Sequence, residues 1–409
     1  MKRDVLVAGL DVGSSKTCAV IAEATGADRE VGAKILGVGL ARTSGVRRGL
    51  VRDIEETTRS VGGALRDAER MAGVKAPPVY CGVAAENVRT QLTTGLVSVA
   101  GDEIKPPDIR RVHEVALSVS LGDDHELLVP IPQEYTVDKQ GGINDPVGMT
   151  GMRLEVEMRL VSVQNQGAQN LRKSVERAGY RVAELVLEPL AAARAVLTAE
   201  EKELGCALVE LGAGSTTVAV FHDDKLRHLA SDLCAGSYVT SDLVHGLSVT
   251  QTDAERLKER WGVAYTPLVD PDELVELPGT PGQGVRQVKR ELISHIVHQR
   301  LDEVFQRVAD QIEKAGYAGR LPAGIVLTGG GAHLAGIVEL GREVFAMPVR
   351  KGMPERAIKG LVDSVQAPRY AVPVGLALHG VYSRTHGDVG DTAVEKVLGP
   401  VKRWLQEFF

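Results

Sequence analysis

Two short segments, about half the chain apart, combine the residue types that can hold a phosphate group. Each has an apolar run, an acidic residue, a turn of small residues and a second apolar run; they cover 5–20 and 207–220. The acidic residues are Asp11 and Glu210. Small turns let backbone N–H groups approach an anion, and an acid beside the turn can orient a divalent cation or a water molecule. Two such turns facing each other would hold a polyphosphate, whereas either turn alone also matches an ordinary β-hairpin.

The first turn offers a full set of phosphate ligands. Gly13, Ser14 and Ser15 could donate N–H and hydroxyl groups to phosphate oxygens, and Lys16 could add a positive charge. Asp11 suits a magnesium ion, because Mg²⁺ bound to phosphates takes one or two carboxylates and keeps water as its other ligands. The plainer interpretation is a hairpin turn with a solvated lysine.

Composition narrows the class of protein. The chain has 409 residues, 44% of them hydrophobic, and this length predicts about two to four domains. A net charge of -6 argues against a nucleic-acid partner. The four cysteines are scattered without a C-x-x-C pair, and the chain starts without the apolar run of a signal peptide, so we expect a reducing cytoplasm. No run of about 18 apolar residues predicts a membrane span.

Apolar spacing predicts alternating strands and helices in both halves of the chain. The first half is expected to contain strands at 5–22, 31–42 and 79–83 and helices at 53–71, 166–179 and 188–197. Between them, 84–162 has the pattern of a compact α+β insertion, with a strand pair at 88–99. The second half is expected to repeat the strand pair at 206–230, followed by a helix at 241–261, a loop at 267–287, a long amphipathic helix at 286–315 and a strand at 324–327.

The last residues, 392–409, follow a short polar linker at 383–391 and are strongly amphipathic. On a helical wheel their apolar side chains occupy an arc of about 140°, and three of the seven Trp and Phe residues (two Trp, five Phe) fall in the final six positions. A helix packed on its own domain would show the same arc, but the aromatic cluster and the linker favour an interfacial membrane helix. Pro400 fits the first turn of that helix. The side chains expected to enter lipid are Val401, Trp404, Leu405, Phe408 and Phe409.

The order of these features resembles the actin-like ATPase superfamily and, within it, the FtsA family of bacterial division proteins. The superfamily resemblance rests on LDVGSSK at 10–16, on 208–220 and on IVLTGGGA at 325–332. The specific resemblance to FtsA proteins rests on VPIPQEYTVD at 129–138, on NDPVGMTGM at 144–152 and on the C-terminal segment. It covers nearly the whole chain.

The resemblance implies an α/β, actin-like two-lobed ATPase fold of duplicated ribonuclease-H-like domains, with an inserted α+β subdomain of the 1C type and a C-terminal amphipathic helix. The implied boundaries are 1–83 with 163–197 for the first lobe, 84–162 for the insertion, 198–230 with 306–382 for the second lobe and 231–305 for its small subdomain. The linker is 383–391 and the membrane-targeting helix is 392–409.

The resemblance also implies that ATP and Mg²⁺ are bound between the lobes. The second phosphate loop would be Gly212, Ala213, Gly214, Ser215 and Thr216, the ribose side would involve Gly236, Glu255 and Lys258, and the adenosine motif would be Gly329, Gly330 and Gly331. Glu255 and Lys258 share a helix face and match a surface ion pair equally well.

Two glutamates are candidates for orienting the hydrolytic water. Glu188 resembles the water-orienting residue of bacterial actin homologues, although a charge at a helix start also stabilises the helix. Glu210 stands where the family usually has Asp, Ala213 replaces a glycine and would disfavour a positive φ, and Val218 stands where an Asp often follows. We therefore expect at most slow ATP hydrolysis, since water placement tolerates little error.

The resemblance implies several partners at the cytoplasmic face of the cell membrane. They are the C-terminal peptide of FtsZ, further copies of this chain in protofilaments, membrane lipid, and other division proteins bound by the 1C-type subdomain. Arg286, Lys289 and Arg300 offer basic groups on the small subdomain for the acidic FtsZ peptide, or form an ordinary solvated helix face. Two alternatives share the fold: a PilM-like pilus-assembly homologue, and a kinase or chaperone-type ATPase.

Overall fold

The computed structural model describes residues 5–26, 32–279 and 284–386. The C-terminal segment expected to bind lipid, 392–409, lies outside these residues. Among the described residues, no helix is long and apolar enough to cross a membrane.

The described elements form three main sheets and ten α-helices. The strands are β1 Leu6–Val12, β2 Lys16–Thr25, β3 Gly32–Arg42, β4 Val46–Arg47, β5 Leu50–Val51, β6 Val79–Val83, β7 Val88–Ser98, β8 His125–Val137, β9 Gln140–Ile143, β10 Arg153–Gln164, β11 Val182–Leu187, β12 Cys206–Leu211, β13 Thr216–His222, β14 Lys225–Asp232, β15 Leu274–Leu277, β16 Arg286–Lys289, β17 Ile325–Thr328, β18 Val349–Lys351 and β19 Ile358–Gly360. The helices are α1 Ile54–Ala72, α2 Pro106–Leu117, α3 Asn165–Arg177, α4 Glu188–Val196, α5 Ala199–Leu204, α6 Gly236–Leu247, α7 Gln251–Trp261, α8 Arg290–Lys314, α9 Ile337–Phe345 and α10 Ala371–His386.

The first lobe is built on a six-stranded sheet in the order β11-β6-β1-β2-β3-β19. β1 and β2 form the antiparallel hairpin that carries the first turn, while β6 lies parallel to both β1 and β11. Helix α1 covers β2 and β3, and α10 contacts β1, β2 and β6. The sheet and its two helices therefore hold the end of β1, and the turn that follows it, in a fixed position.

Helix α1 shows how local sequence places an element of this lobe. Asp53 caps its start by accepting a 2.9 Å hydrogen bond from the Glu56 N–H, and Gly73 ends it in the left-handed region. Gly37 and Gly39 on β3 let the helix lie directly on the sheet, because a Cβ on either would fall within 2.2 Å of a carbonyl oxygen of α1.

The second lobe repeats this plan with a five-stranded sheet in the order β14-β13-β12-β17-β18. β12, β13 and β14 are antiparallel neighbours, as β1, β2 and β3 are, and β17 lies parallel to β12 as β6 lies parallel to β1. The duplicated plan expected from the two similar segments is confirmed by the structure.

The inserted segment forms a separate antiparallel sheet in the order β7-β10-β8-β9, with α2 packed on β7 and β10. Its own core contains Ile104, Val112, Leu154, Val156 and Met158, all 1% exposed or less. The insertion is tied to the second lobe by Lys225, whose Nζ donates to the Gln133 carbonyl at 2.7 Å and to Asn144 Oδ1 at 2.6 Å.

Several local expectations differ from the structure. The expected strand pair at 88–99 is one long strand, β7, and the expected helix at 241–261 is two helices, α6 and α7, separated by Ser248 in the left-handed region. The expected loop at 267–287 contains the β15–β16 hairpin, so the long helix begins at Arg290. Helix α10 extends to His386, so 383–386 are its last turn.

Candidate functional site

The two turns identified in the sequence have the same geometry. The Gly13 N–H donates to the Lys16 carbonyl at 3.1 Å, and the Gly212 N–H donates to the Ser215 carbonyl at 3.0 Å. The strand register agrees, because Val12 lies opposite Thr17 and Leu211 lies opposite Thr216. In each hairpin, therefore, four residues form the turn beyond the last pair of strand residues.

The two turns also meet each other. A Cβ on Gly214 would lie 2.5 Å from the Ser14 Oγ and 3.1 Å from the Arg48 Cα. Ser14 is held in place because its hydroxyl accepts a 3.1 Å hydrogen bond from the Gly49 N–H. Only glycine fits at position 214 while the loops keep this distance.

A cavity of about 570 Å³ lies between the two turns. Every residue that the sequence assigned to nucleotide binding or catalysis lines it: Asp11, Gly13, Ser14, Ser15, Lys16, Glu188, Glu210, Gly212, Ala213, Gly214, Ser215, Thr216, Gly236, Glu255, Lys258, Gly329, Gly330 and Gly331. The structure therefore brings all of these positions into one cleft between the lobes.

Three carboxylates at the base of the cleft are held in an environment that disfavours their charge. Burial raises the pKa of Asp11 to about 7, although Lys16 partly opposes the rise. Burial and the charge of Asp11 raise the pKa of Glu210 to about 8, and the same two causes raise the pKa of Glu188 well above its ordinary value. A divalent cation at this point would relieve the repulsion between the carboxylates.

Glu188 reaches this cluster because of the way β11 leads into α4. It is the first residue of the helix, with Pro189 in the first turn. Its side chain packs over Gly82 on the neighbouring strand β6, where a Cβ would lie 2.8 Å from the Glu188 Cγ. Because Gly82 has no side chain, the Glu188 side chain can extend over it into the cleft.

Basic and polar groups lie around the rest of the cleft. Burial lowers the pKa of Lys16, and the charge of Arg369 lowers it further. On the second lobe, Lys258 Nζ donates to Glu255 Oε2 and to Thr240 Oγ1, both at 2.8 Å, and to the Gly236 carbonyl at 3.2 Å. Burial opposes ionisation of Glu255, but the charge of Lys258 lowers its pKa. Glu255 and Lys258 are thus an ion pair that also faces the cavity.

The glycine run after β17 lies flat against the second hairpin. Gly329 has a φ of +83°, and a Cβ there would meet the Leu211 carbonyl oxygen at 2.7 Å. A Cβ on Gly331 would meet the Leu211 Cβ at 2.9 Å. Gly330 has open space beside it, so the backbone of this run forms one wall of the cavity.

Sequence reasoning missed several residues that line the cavity, above all Glu86, Arg369, Glu259 and His333. Glu86 lies in the turn that enters the inserted subdomain; its Oε2 accepts from the Ser231 hydroxyl at 3.5 Å, while its buried Oε1 has no hydrogen-bond partner among the described residues. Its charge contributes to the raised pKa of Glu188 and Glu210. No local motif marks Glu86, because only the fold brings it to the cleft.

Within the described residues, no group of three or more His, Cys, Asp or Glu side chains is arranged to hold a metal ion by itself. Asp11 is the expected magnesium ligand. A site with one or two carboxylates suits an ion whose remaining ligands are phosphate oxygens and water.

The three basic residues assigned to partner binding are placed on two elements. Arg286 and Lys289 lie on the strand β16 and not on a helix, and Lys289 Nζ is 3.6 Å from Asp272 Oδ1. Arg300 lies about 15 Å along α8 from its start and is paired with Asp242 at 2.5 Å and with Glu303. Arg300 thus belongs to an ion-pair network that joins α6 to α8.

Comparison with solved structures defines the class of protein. The chain matches the PilM–PilN type IV pilus biogenesis complex with a TM-score of 0.65 at 17% identity, over 92% of this chain and 99% of that chain. It matches MreB5 of Spiroplasma citri bound to ADP with a TM-score of 0.56 at 12% identity, over 96% of this chain and 98% of that chain. The MamK double helical filament matches with a TM-score of 0.50 at 12% identity, over 94% and 99%. The chain has the two-lobed fold of the actin-like ATPases.

Sequence comparison identifies the family. The family model described as cell division protein FtsA matches residues 207–375, and the model of the SHS2 domain inserted in FtsA matches residues 85–162. The cell division protein FtsA of Pseudomonas aeruginosa is 36% identical, over 99% of this chain and 98% of that protein. That of Escherichia coli K12 is 35% identical, over 98% and 96%. The chain belongs to the FtsA family of cell division proteins.

Membership of the FtsA family argues against the PilM-like alternative. The likeness to PilM, at 17% identity, is one of fold alone, whereas the likeness to the FtsA proteins extends over nearly the whole sequence.

Proposed function

We propose that this chain binds ATP with Mg²⁺ in the cleft and uses it as a conformational ligand in cell division. The observation that supports this most directly is the pair of matching turns, which close on one cavity from opposite lobes. Backbone N–H groups of both turns and Lys16 would hold the phosphates, and Asp11 would face the magnesium ion. The ADP bound to MreB5 of the same fold agrees with this assignment.

Calorimetric titration of the full chain with Mg-ATP tests this proposal. Lys16→Ala removes the charge expected to face the phosphates, and we expect the affinity to fall about 10-fold or more. Lys359→Ala removes an exposed lysine on β19, away from the cavity, and should bind as the unchanged protein does. Absence of any Mg-ATP binding by the unchanged protein would contradict the proposal.

We propose that hydrolysis in this cleft is slow. Glu188 and Glu210 are the candidates for orienting water. Glu210 stands where the family usually has Asp, and Val218 stands where an Asp often follows. Placement of the hydrolytic water tolerates little error. Phosphate release should fall in Glu188→Ala, and unchanged turnover in that variant would remove Glu188 from the mechanism.

We propose that residues 392–409 anchor the chain to the cytoplasmic face of the membrane. The amphipathic pattern with Trp404, Phe408 and Phe409 supports this role. One such segment binds lipid reversibly, and assembly of many copies would multiply the affinity. Sedimentation with liposomes should fail for Trp404→Glu and for a chain ended at 391; if the shortened chain still sediments with lipid, the anchor lies elsewhere.

We propose that the membrane-bound chain assembles into protofilaments, tethers FtsZ filaments and recruits other division proteins through the inserted subdomain at 84–162. Membership of a cell division family and the filament formed by MamK, which has the same fold, support these roles. The boundaries proposed for the lobes and the small subdomain at 231–305 follow from the same resemblance.

The docking site proposed for the FtsZ C-terminal peptide can be tested by charge reversal. Arg286→Glu and Lys289→Glu should weaken binding of the acidic peptide, measured by fluorescence anisotropy. Arg300→Glu is a poor probe, because Arg300 is already paired with Asp242 and Glu303 and its reversal would disturb α6 and α8. Binding that is unchanged in both β16 variants would place the peptide on another surface.

A further inference from the structure

A second cavity, of about 280 Å³, lies where the inserted subdomain and the two lobes meet. We call it the junction cavity. Its apolar lining comes from three parts of the molecule: Leu128 and Val129 on β8, Leu187 and Leu190 around the start of α4, and Phe221 on β13. Its polar lining is Glu184, Arg194, Lys202, His379 and Tyr382.

The apolar part of this cavity is suited to side chains of a helix. Leu128, Val129 and Leu190 are partly exposed while they pack against the buried core. The volume is slightly below that of typical small-molecule pockets, about 300–1,000 Å³. An amphipathic helix inserts a few apolar anchors into such a groove and keeps its charged face at the polar rim.

Helix α10 brings one such segment to the cavity. His379 and Tyr382 line the cavity, and α10 ends at His386, about 6 Å beyond Tyr382 along the helix axis. Residues 387–391 can span at most about 18 Å. The amphipathic segment 392–409 is therefore tethered beside the cavity, and a short tether gives it a millimolar effective concentration there.

We propose that the junction cavity receives the chain's own segment 392–409 when that segment is not inserted in lipid. This inference rests on the proposed function in one respect, that 392–409 is the membrane-binding segment. Docking hides Trp404 and its apolar neighbours from solvent and competes with lipid for the same face. The cavity thus acts as an autoinhibitory site that keeps the chain off the membrane.

Helix α4 connects this cavity to the nucleotide cleft. Glu188 at its start lines the cleft, whereas Leu190 and Arg194 line the junction cavity. Helix α10 lies directly against α4, because a Cβ on Gly375 would fall 1.8 Å from the Ala191 carbonyl oxygen. Any shift of α4 at Glu188 would therefore change the wall of the junction cavity and the position of α10 together.

Tryptophan fluorescence of the full chain tests the inference, because the chain has two tryptophans, Trp261 and Trp404. In a Trp261→Phe background, Trp404 is the sole reporter. Without lipid, its emission should be blue-shifted and protected from acrylamide. Leu190→Glu and Leu128→Glu, each introduced separately, should shift the emission to the red and raise the liposome affinity about 10-fold, since docking no longer competes.

Leu204→Glu is the matched control, because Leu204 is exposed on α5 in the same part of the molecule and does not line the cavity. It should leave Trp404 protected. Circular dichroism shows whether the variants fold. A photo-cross-linking residue placed at Val401 needs no change in the cavity, and its adduct should map to β8 or α4 within one chain.

Three results separate the possibilities. If Trp404 is equally accessible to acrylamide in all variants, the docking inference is wrong, and liposome sedimentation still tests the membrane anchor by itself. If Trp404 is protected but the chain never binds liposomes, the docking stands and the proposed membrane role fails. If the cross-link at 401 joins two chains, the occupant is a second copy and the inference is overturned.

Discussion

At the scale of single residues, the two turns differ in chemistry but not in shape. Ala213 was expected to disturb the second turn by disfavouring a positive φ. However, neither Ala213 nor the glycines beside it have a positive φ, so alanine is accommodated without strain. The restriction lies one residue later, at Gly214, where the second turn contacts Ser14 of the first.

Replacement of Gly214 by alanine should therefore weaken nucleotide binding more than the addition of one methyl group would suggest. In Gly214→Ala the added methyl group would lie 2.5 Å from the Ser14 Oγ, so the turns must separate. We expect Mg-ATP affinity to fall about 10-fold or more, measured by calorimetry. Gly167→Ala adds the same methyl group on α3, at an ordinary 3.7 Å from Leu50, and should bind normally. Equal affinities in the two variants would show that the contact between the turns is not needed.

The crowded carboxylates predict that the nucleotide-free protein becomes less stable as the pH rises. Folding raises the pKa of Asp11 from 3.8 to about 7 and that of Glu210 from 4.5 to about 8. At pH values between the unfolded and the folded pKa, the folded state binds more protons than the unfolded state. The contribution of these groups to the free energy of unfolding is therefore fully present below pH 4 and is lost as the pH rises through 7 to 8.

Glu210→Gln isolates this effect. We expect it to stabilise the nucleotide-free protein by about 1–2 kcal/mol at pH 8 and to have little effect near pH 4.5, measured by thermal unfolding. Glu276→Gln on β15 is exposed and should change stability at neither pH. If the stability of Glu210→Gln changed with pH as that of the unchanged protein does, the charge of Glu210 would not be held in an unfavourable environment.

At the scale of elements, the inserted subdomain is joined to the second lobe by polar contacts. Lys225 on β14 is 6% exposed and reaches across to Gln133 and Asn144. Arg159 on β10 donates in return to the Arg227 carbonyl at 2.7 Å. These bonds fix the insertion against the second lobe, so its position depends on that lobe.

Loss of the Lys225 contacts should loosen the insertion without unfolding it. Lys225→Met leaves the Gln133 carbonyl and the Asn144 amide oxygen without this donor, which we expect to cost about 1–3 kcal/mol of unfolding free energy. Hydrogen exchange should rise first in β8 and the 144–152 segment. Lys359→Met, at an exposed position, is the control. Unchanged exchange would show that apolar contacts alone hold the insertion.

At the scale of the whole molecule, the cavity proposed to bind nucleotide is lined by residues of both lobes, so it exists only while the lobes are close together. Ligand that binds only the folded, closed form stabilises it by mass action. We expect Mg-ATP at 100 times its Kd to add about 2.7 kcal/mol to the stability, measured as a rise in Tm. Lys16→Ala should show a much smaller rise at the same concentration. If ATP without magnesium raised the Tm as much as Mg-ATP does, the result would argue against Asp11 as a magnesium ligand.

The family and the positions of the motifs could be predicted from the sequence, because each motif is a short segment whose residue types and spacing can be recognised in the chain itself. A tight turn of small residues, the Asp53 cap of α1 and the alternation of apolar residues are set by neighbours a few positions away. The β15–β16 hairpin was missed because its segment is rich in proline, glycine and acidic residues, a composition that is typical of loops. The hairpin is held by burial of Val275 and Leu277 in the core and by Arg290, which donates to Glu273 just before β15.

The sequence by itself determined that two similar hairpins with the composition of phosphate loops exist and that their acidic residues differ. Only the tertiary structure decided how the hairpins face each other, why Gly214 must be glycine, and that Glu86 and Arg369 join the same cleft. The physical reason is the range of the interactions. Backbone turns and caps are encoded within a few residues, whereas burial and charge repulsion at Asp11, Glu188 and Glu210 arise only when distant parts of the chain are packed together.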